Sequence, residues 1–282
     1  MKKNKFERDS AKRIAILGAG NIGSSIARGL AASGRWRPQD ITLTRRRAEL
    51  LDAFRKEKFG VTSDNRGAVK RAEIIILAVG PQQAESLVKE IRPALREDLH
   101  ILISIVSGVT TKQVALWAKK KVSIVRAMSN TAIAIREAMT CLCAPPAAGR
   151  DRAALQEARA LFETLGKTLI IDEDLMLSAT ALTGCGIAFF LRSIRAASQG
   201  GIQIGFHSEE ALLMAAQTAR GAASLLLRGR SHPESEIDKV TTPLGCTIEG
   251  LNEMEHHGFS SAMIRGIATS NSRAAHLFKK DD

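Results

Sequence analysis

The stretch from Arg13 to Gly23, RIAILGAGNIG, constrains this chain more than any other. Arg13 to Leu17 is a short apolar run suited to a buried parallel strand, and Gly18, Gly20 and Gly23 follow at the G-x-G-x-x-G spacing. Behind them Ile22, Ile26, Gly29 and Leu30 recur at helical spacing up to a stop at Gly34, so the glycines fall at a strand-to-helix turn. A dinucleotide-binding turn needs glycine three times: for the tight turn, for backbone close enough to touch a pyrophosphate, and for helix packing on strand. The backbone of Gly18, Gly20, Asn21, Ile22 and Gly23 is therefore expected to hold phosphates at the positive end of the helix. A glycine turn that serves packing alone is the alternative, and the flanking strand and helix favour the cofactor.

The next strand, Ile41-Thr42-Leu43, ends at a diagnostic position. An acidic residue there would bind the ribose 2′-hydroxyl of NAD, whereas arginine accommodates the 2′-phosphate of NADP. The chain has Thr44 and then Arg45, Arg46 and Arg47, a hydroxyl and guanidinium forks suited to a phosphate monoester, so the expected cofactor is NADP(H). Cations in the first turn of a helix oppose its dipole, which disfavours a purely surface role. A short strand near Val61 precedes the run from Glu73 to Pro81, whose unbroken apolar character marks a strand buried on both faces. Its carboxyl end, with Ala78, Val79 and Gly80, is expected to line the cofactor crevice.

A strand at Ile101 to Ile105 ends at Ser107-Gly108, and one at Val122 to Val125 leads into a loop from Arg126 to Ala132. Ser107 and Asn130 are placed with the cofactor. A strand at Met139 to Cys143, a helix from Ala148 to Leu165 and a last strand at Thr168 to Ile171 close the region. Strands alternating with helices predict an α/β fold, a Rossmann-type doubly wound sheet over residues 13–172. From Asp174 onward no strand-like run returns. Helical periodicity covers Asp174 to Leu182, Ile187 to Ile204, Ser208 to Leu227 and Phe259 to Phe278. Residues 173–282 are therefore expected to form an all-α domain, apolar on so many helix faces that a second copy of the chain is its simplest cover.

The formal charge of +12 raises the question of a polyanionic partner. The basic residues are spread along the chain, no nucleic-acid motif is visible and there is no tyrosine for a stacking platform, so no nucleic-acid partner is expected. Residues 1–12 read as a disordered basic arm. No apolar run approaches the roughly 20 residues of a membrane span, and the start lacks a signal-peptide core, so no membrane partner is expected and the chain reads as cytoplasmic. Cys141, Cys143, Cys185 and Cys246 are too scattered for a disulfide framework; the first two share a strand face as core thiols, without further ligands for a metal.

Signatures of strong acid-base or nucleophilic chemistry are absent, and each of the six histidines reads as a surface or capping residue. Reduction of a protonated C=N bond is chemistry that needs no strong protein acid. The remaining unusual stretch, Asp238 to Thr247, carries three threonines with Pro243 and Gly245 ahead of a helix from about Ile248. It either presents hydroxyls and N–H groups to a carboxylate or is a plain helix-helix loop capped by Thr247.

Four segments, LGAGNIGSSIARGL, ILAVGPQQ, VRAMSNTAIAIREAMT and the series ALTGCGIAFF, DKVTTPLGCTIEGL and HGF, resemble the pyrroline-5-carboxylate reductases from about Arg13 to Leu277. The most specific is DKVTTPLGCT, against a family signature close to D-K-V-[ST]-S-P-G-G-T-T. The resemblance implies NADPH-dependent reduction of 1-pyrroline-5-carboxylate to L-proline, the last step of proline biosynthesis. It also implies a helical domain that forms a homodimer, with a possible higher ring of dimers, and a substrate site between one subunit's cofactor and the dimer's helices. By position, Thr247 matches the threonine that meets the substrate ring nitrogen, as the catalytic group. Thr242, Gly245 and Cys246 match the loop that holds the carboxylate; Glu173 matches an acidic position bordering the cyclic imino acid and Lys239 a position near the cofactor. The chain departs from the family pattern at Gly80, at Ser129 and Ala132, at Cys185 and Ile187, and at Leu244. Two alternatives stay open: a reductase of a different cyclic imine, and an NADP-binding homologue acting as a sensor or interaction protein.

Overall fold

A computed structural model of the chain describes residues 12–145 and 149–276. The arm before Lys12, the expected helix start at Ala148 and the expected helix end at Phe278 lie outside them. The described chain divides into two compact units, one running to Gly184 and resuming at Asn271, the other Cys185–Ser270.

The first unit alternates strand and helix as β1 (Ile14–Leu17), α1 (Asn21–Ala32), β2 (Ile41–Thr44), α2 (Asp52–Lys56), β3 (Gly60–Thr62), α3 (Asn65–Lys70), β4 (Ile74–Leu77) and α4 (Pro81–Ile91). It continues with β5 (Ile101–Ser104), α5 (Thr111–Ala118), β6 (Ser123–Met128), β7 (Ala138–Cys143), α6 (Arg150–Phe162) and β8 (Gly166–Ile170). The sheet order is β3-β2-β1-β4-β5-β6-β7-β8. Neighbours pair in parallel except β6 with β7, which are antiparallel. The strand order reverses beside β1, between β1 and β4, and ligand crevices of open α/β sheets form at the carboxyl ends of strands at such a point.

Alternation along β1 and β4 divides the apolar side chains between two cores. Ile14, Ile16, Ile74 and Ile76 join Ile26 and Leu30 of α1 and Phe162 of α6 on one face. Ala15, Leu17, Ile75 and Leu77 join Leu87, Val88 and Ile91 of α4 and Val114 of α5 on the other. Each fully buried Ile or Leu stabilises the fold by about 1.5–3 kcal/mol, so strands with apolar residues at both parities are held from both sides. A smaller cluster packs Cys141 and Cys143 with Met128, Met176 and Ala179, and burial pushes the Cys143 thiol up to about 12. The strand expected to stop at Val125 runs on to Met128. Polar Arg126 interrupts the apolar pattern there, yet the antiparallel β7 continues the ladder through Arg126, Ala127 and Met128.

The expectation that no segment has the length of a membrane span needs correction. Glu173–Gln203 is one continuous helical run of 31 residues, long and apolar enough to cross a membrane, with 22% of its most apolar window buried in the chain itself. The sequence reads it as two shorter helices because Gly184 and Gly186 interrupt the apolar pattern. The interruption is instead a π-helical turn at Thr180–Cys185, between α7 (Met176–Ala179) and α8 (Gly186–Gln203). Thr180 and Thr183 hydroxyls donate to the carbonyls of Met176 and Ala179 four residues back.

The second unit consists of α8, α9 (Ser208–Gly229), α10 (Pro233–Asp238), α11 (Cys246–His256) and the first two-thirds of α12 (Phe259–His276). Close approach of α8 and α9 depends on Gly201, where an added Cβ would sit 3.0 Å from the Ala211 methyl. The start expected at Ser208 is capped one residue earlier: His207 N–H donates to the Glu210 carboxylate. Phe190, Leu213, Leu227 and Ile264 stay exposed. One histidine differs from its expected role. His100 is fully buried, its Nδ1 accepting the Arg96 N–H, because the turn between α4 and β5 folds it inward.

Candidate active site

The three glycines of the first turn meet three different demands. Gly18 has φ +112°, and a Cβ there would lie 2.4 Å from the Ala78 carbonyl oxygen. A Cβ at Gly23 would lie 2.2 Å from the Gly18 carbonyl oxygen. Gly20 is the N-cap of α1 with no side-chain cap, and space is open within 4 Å of where its Cβ would be. The turn is stitched to the end of β2 by Gly18 and Ala19 N–H groups donating to the Thr44 carbonyl at 3.2 and 2.9 Å. The first-turn amides of α1, from Asn21 to Gly23, thus flank open space with the helix dipole behind them. A negatively charged diphosphate fits this cradle.

A cavity of about 590 Å³ opens here, in the size range of small-ligand sites. It brings together Gly18, Gly20, Thr44, Arg45, Arg46 and the Ala78–Gly80 strand end, residues 60 positions apart in sequence that meet because β1 pairs with both β2 and β4. Arg45 is oriented by its Nη1, which donates to the Ala19 carbonyl at 3.2 Å. Arg46 and Arg47 guanidiniums are exposed at the mouth. Arg47 lines the cavity as well; Ala19, Leu50, Asn65, Gln83 and Leu87 also line it and escaped the sequence reading. Leu50 and Leu87 offer the apolar walls a nucleobase needs, but helix-period leucines look like core in a sequence. Asn65 had a detectable signal, Asp64-Asn65 after a strand, where Asp64 accepts the Gly67 N–H as a helix cap.

Ser107, Asn130 and Lys239 do not line this cavity. The Asn130 side chain is spent within its own unit, accepting the Ala132 N–H and donating to the Thr183 carbonyl. Lys239 donates to Glu236 at 2.7 Å, which lowers the Glu236 carboxyl below its ordinary range.

Glu173 is held by three groups. One oxygen accepts the Thr111 N–H at 2.8 Å and the other the Thr111 hydroxyl at 2.6 Å, so the carboxylate sits at the N-terminus of α5. Arg126 Nη1 lies 3.3 Å from the same group, and the Arg126 side chain is only 4% exposed. Arg126 Nε and Nη2 have no partner among the described residues, which makes Glu173 its one counter-charge there.

The Thr242–Thr247 loop is a tight turn followed by a helix start. Gly245 N–H donates to the Thr242 carbonyl at 2.9 Å, with Pro243 and Leu244 at the corner and Leu244 at φ +58°. A Cβ at Gly245 would lie 2.5 Å from the Thr242 hydroxyl, so glycine is required for that approach. The N-cap of α11 is Gly245, not Thr247, because the turn ends two residues earlier than the threonine suggests. Cys246 and Thr247 therefore occupy the first turn of an 11-residue helix, where N–H groups lack intrahelical acceptors. Among the described residues no three His, Cys, Asp or Glu side chains gather as metal ligands.

Two family descriptions match the chain: pyrroline-5-carboxylate reductase dimerisation over residues 173–277, and NADP oxidoreductase, coenzyme F420-dependent, over residues 13–108. Pyrroline-5-carboxylate reductase 1 of Dictyostelium discoideum is 48% identical over 94% of this chain, which spans 50% of that relative's length. Pyrroline-5-carboxylate reductase 2 of the same organism is 46% identical, with 94% of this chain and 92% of the relative covered. The structure of a pyrroline-5-carboxylate reductase from Coxiella burnetii superposes with a TM-score of 0.85 at 30% identity, covering 95% of this chain and 99% of that one. Likeness along nearly the whole length, over both the glycine turn and the Thr242–Thr247 loop, means that the chain belongs to the pyrroline-5-carboxylate reductase family.

Proposed function

We propose that this chain reduces 1-pyrroline-5-carboxylate to L-proline with NADPH, as an enzyme of proline biosynthesis. The observation that carries the cofactor is the cavity in which a glycine turn, a strand end and three arginines meet; family membership carries the substrate. Bound NADPH supplies hydride to the imine carbon. The amides of Gly20 to Gly23 and the α1 dipole hold the diphosphate, and Arg45 and Arg46 hold the 2′-phosphate.

The Thr242–Thr247 loop binds the substrate. The Gly245 N–H is committed to the turn, so the carboxylate takes the Cys246 and Thr247 N–H groups with the Thr242 hydroxyl, aided by the α11 dipole. The Thr247 hydroxyl meets the ring nitrogen and keeps a proton there, which makes the neighbouring carbon electrophilic. The Glu173 carboxylate is held by Thr111 and Arg126. The glycine turn and sheet, residues 13–172, serve the cofactor. Residues 173–282 serve the substrate and pair with a second copy: the description of residues 173–277 as a dimerisation region and the exposed Phe190, Leu213 and Leu227 support protein rather than lipid as the cover of the long helix. Dimers joined into a ring, in the cytoplasm and without membrane attachment, complete the proposal.

Purified protein should oxidise NADPH when 1-pyrroline-5-carboxylate is added, and Thr247→Ala should lower kcat/KM about tenfold, the order of one transition-state hydrogen bond. Tight NADPH binding with no turnover on this or other cyclic imines would overturn the enzymatic reading. Sedimentation in detergent-free buffer as a monomer would overturn the dimer.

A further inference from the structure

Behind the arginine-rich mouth of the cavity lies a chain of three side chains. The Thr44 hydroxyl, at the end of β2, donates to Asn65 Oδ1 at 2.6 Å. The Asn65 amide nitrogen in turn donates to both carboxylate oxygens of Glu90, on the last turn of α4, at 3.2 Å each. Glu90 is itself anchored, since Arg66 Nε donates to its backbone carbonyl at 2.8 Å. An isolated asparagine amide presents donor or acceptor with equal ease by rotating about its last bond. A carboxylate accepts only, so Glu90 fixes which end of Asn65 faces Thr44. The consequence reaches the cavity wall that Thr44 and Asn65 share. Thr44 has spent its proton on Asn65, and Asn65 has spent its amide nitrogen on Glu90. The floor beneath the arginines therefore presents oxygen lone pairs.

Lone pairs suit a ribose 2′-hydroxyl, which donates, and give nothing to a 2′-phosphate, which accepts only. We infer that Glu90, acting through Asn65, is a positioning residue that sets how strongly this pocket favours a 2′-phosphate over a 2′-hydroxyl. The inference rests on the cofactor assignment above and adds to it a separate element of selectivity. Arg45 and Arg46 attract the phosphate at the mouth, while Glu90 keeps the floor suited to the hydroxyl. Without an acceptor at position 90, the Asn65 amide is free to turn and donate to Thr44, which releases the Thr44 proton toward the phosphate.

The test is the ratio of NADP+ to NAD+ affinity, measured by calorimetry on the purified full chain, so that no turnover is required. Glu90→Ala should raise that ratio about tenfold or more, the order of one hydrogen bond to a charged group gained by the phosphate. Glu90→Gln removes the charge and places there an amide that can donate as well as accept, so it no longer fixes Asn65 and should also raise the ratio, by no more than Glu90→Ala does. In an Asn65→Ala background, Glu90→Ala should change nothing. A ratio unchanged in Glu90→Ala would overturn the lock. A shift that persists without Asn65 would also overturn it. Loss of both affinities together in Glu90→Ala would mark a merely structural residue. Binding of neither dinucleotide by the wild-type chain would remove the cofactor assignment itself, an outcome distinct from all of these.

Discussion

Leu244 offers the sharpest test of how the loop before α11 is held. It follows Pro243 at the corner of the turn closed by Gly245 N–H and the Thr242 carbonyl, with φ +58°, where turns with proline in the first central position ordinarily place glycine. Its side chain is 97% exposed, so truncation removes no packing. The left-handed conformation costs a residue with a Cβ about 1–2 kcal/mol, and the added freedom of glycine in the unfolded chain offsets about 0.5–1 kcal/mol of the relief. Leu244→Gly should then stabilise the fold by about 0.5–1 kcal/mol, a rise in Tm of about 1–3 °C. Leu244→Ala keeps the Cβ and the strain and should stay within about 0.5 kcal/mol of wild type. Thermal unfolding followed by far-UV circular dichroism at equal protein concentration separates the three. An alanine variant as stable as the glycine variant would show that the exposed leucine, and not the backbone, carries the cost. A glycine variant with a lower Tm would refute the reasoning altogether.

Replacing Arg45 and Arg46 by alanine should raise KM for NADPH about tenfold or more, the weight of lost charge-assisted hydrogen bonds, while KM for NADH changes little; equal effects in steady-state kinetics would remove them from the 2′-phosphate. Glu173→Gln leaves the buried Arg126 without its counter-charge and should cost about 3 kcal/mol, with Arg126→Met in the same chain restoring much of it, both read by urea unfolding. Burial first, then Arg96, lowers the His100 pKa from its ordinary 6.5, so the unfolded chain binds a proton that the folded chain refuses. Stability should therefore fall as pH drops below 6.5, and His100→Asn, which keeps an acceptor for the Arg96 N–H, should flatten that slope.

The sequence by itself determined the glycine turn, the alternating sheet and the helical second half, because each is written in local terms: glycine spacing, unbroken β-branched runs and helical periodicity. It also marked Thr44 to Arg47, since a single strand end decides between a carboxylate and a cation. Tertiary structure alone decided what lies between distant segments. Asn65, Leu50 and Leu87 join the cavity because parallel pairing sets β2 and β4 beside β1 and β3 beside β2, and no local pattern encodes that neighbourhood. His100 became core because a turn folded it inward, and Arg126 became part of a strand because β7 came back antiparallel to complete its ladder. Glu173, read as a residue bordering substrate, has its carboxylate anchored to Thr111 and Arg126. A buried guanidinium with one counter-charge demands such a partner, and only the folded chain shows which acid supplies it.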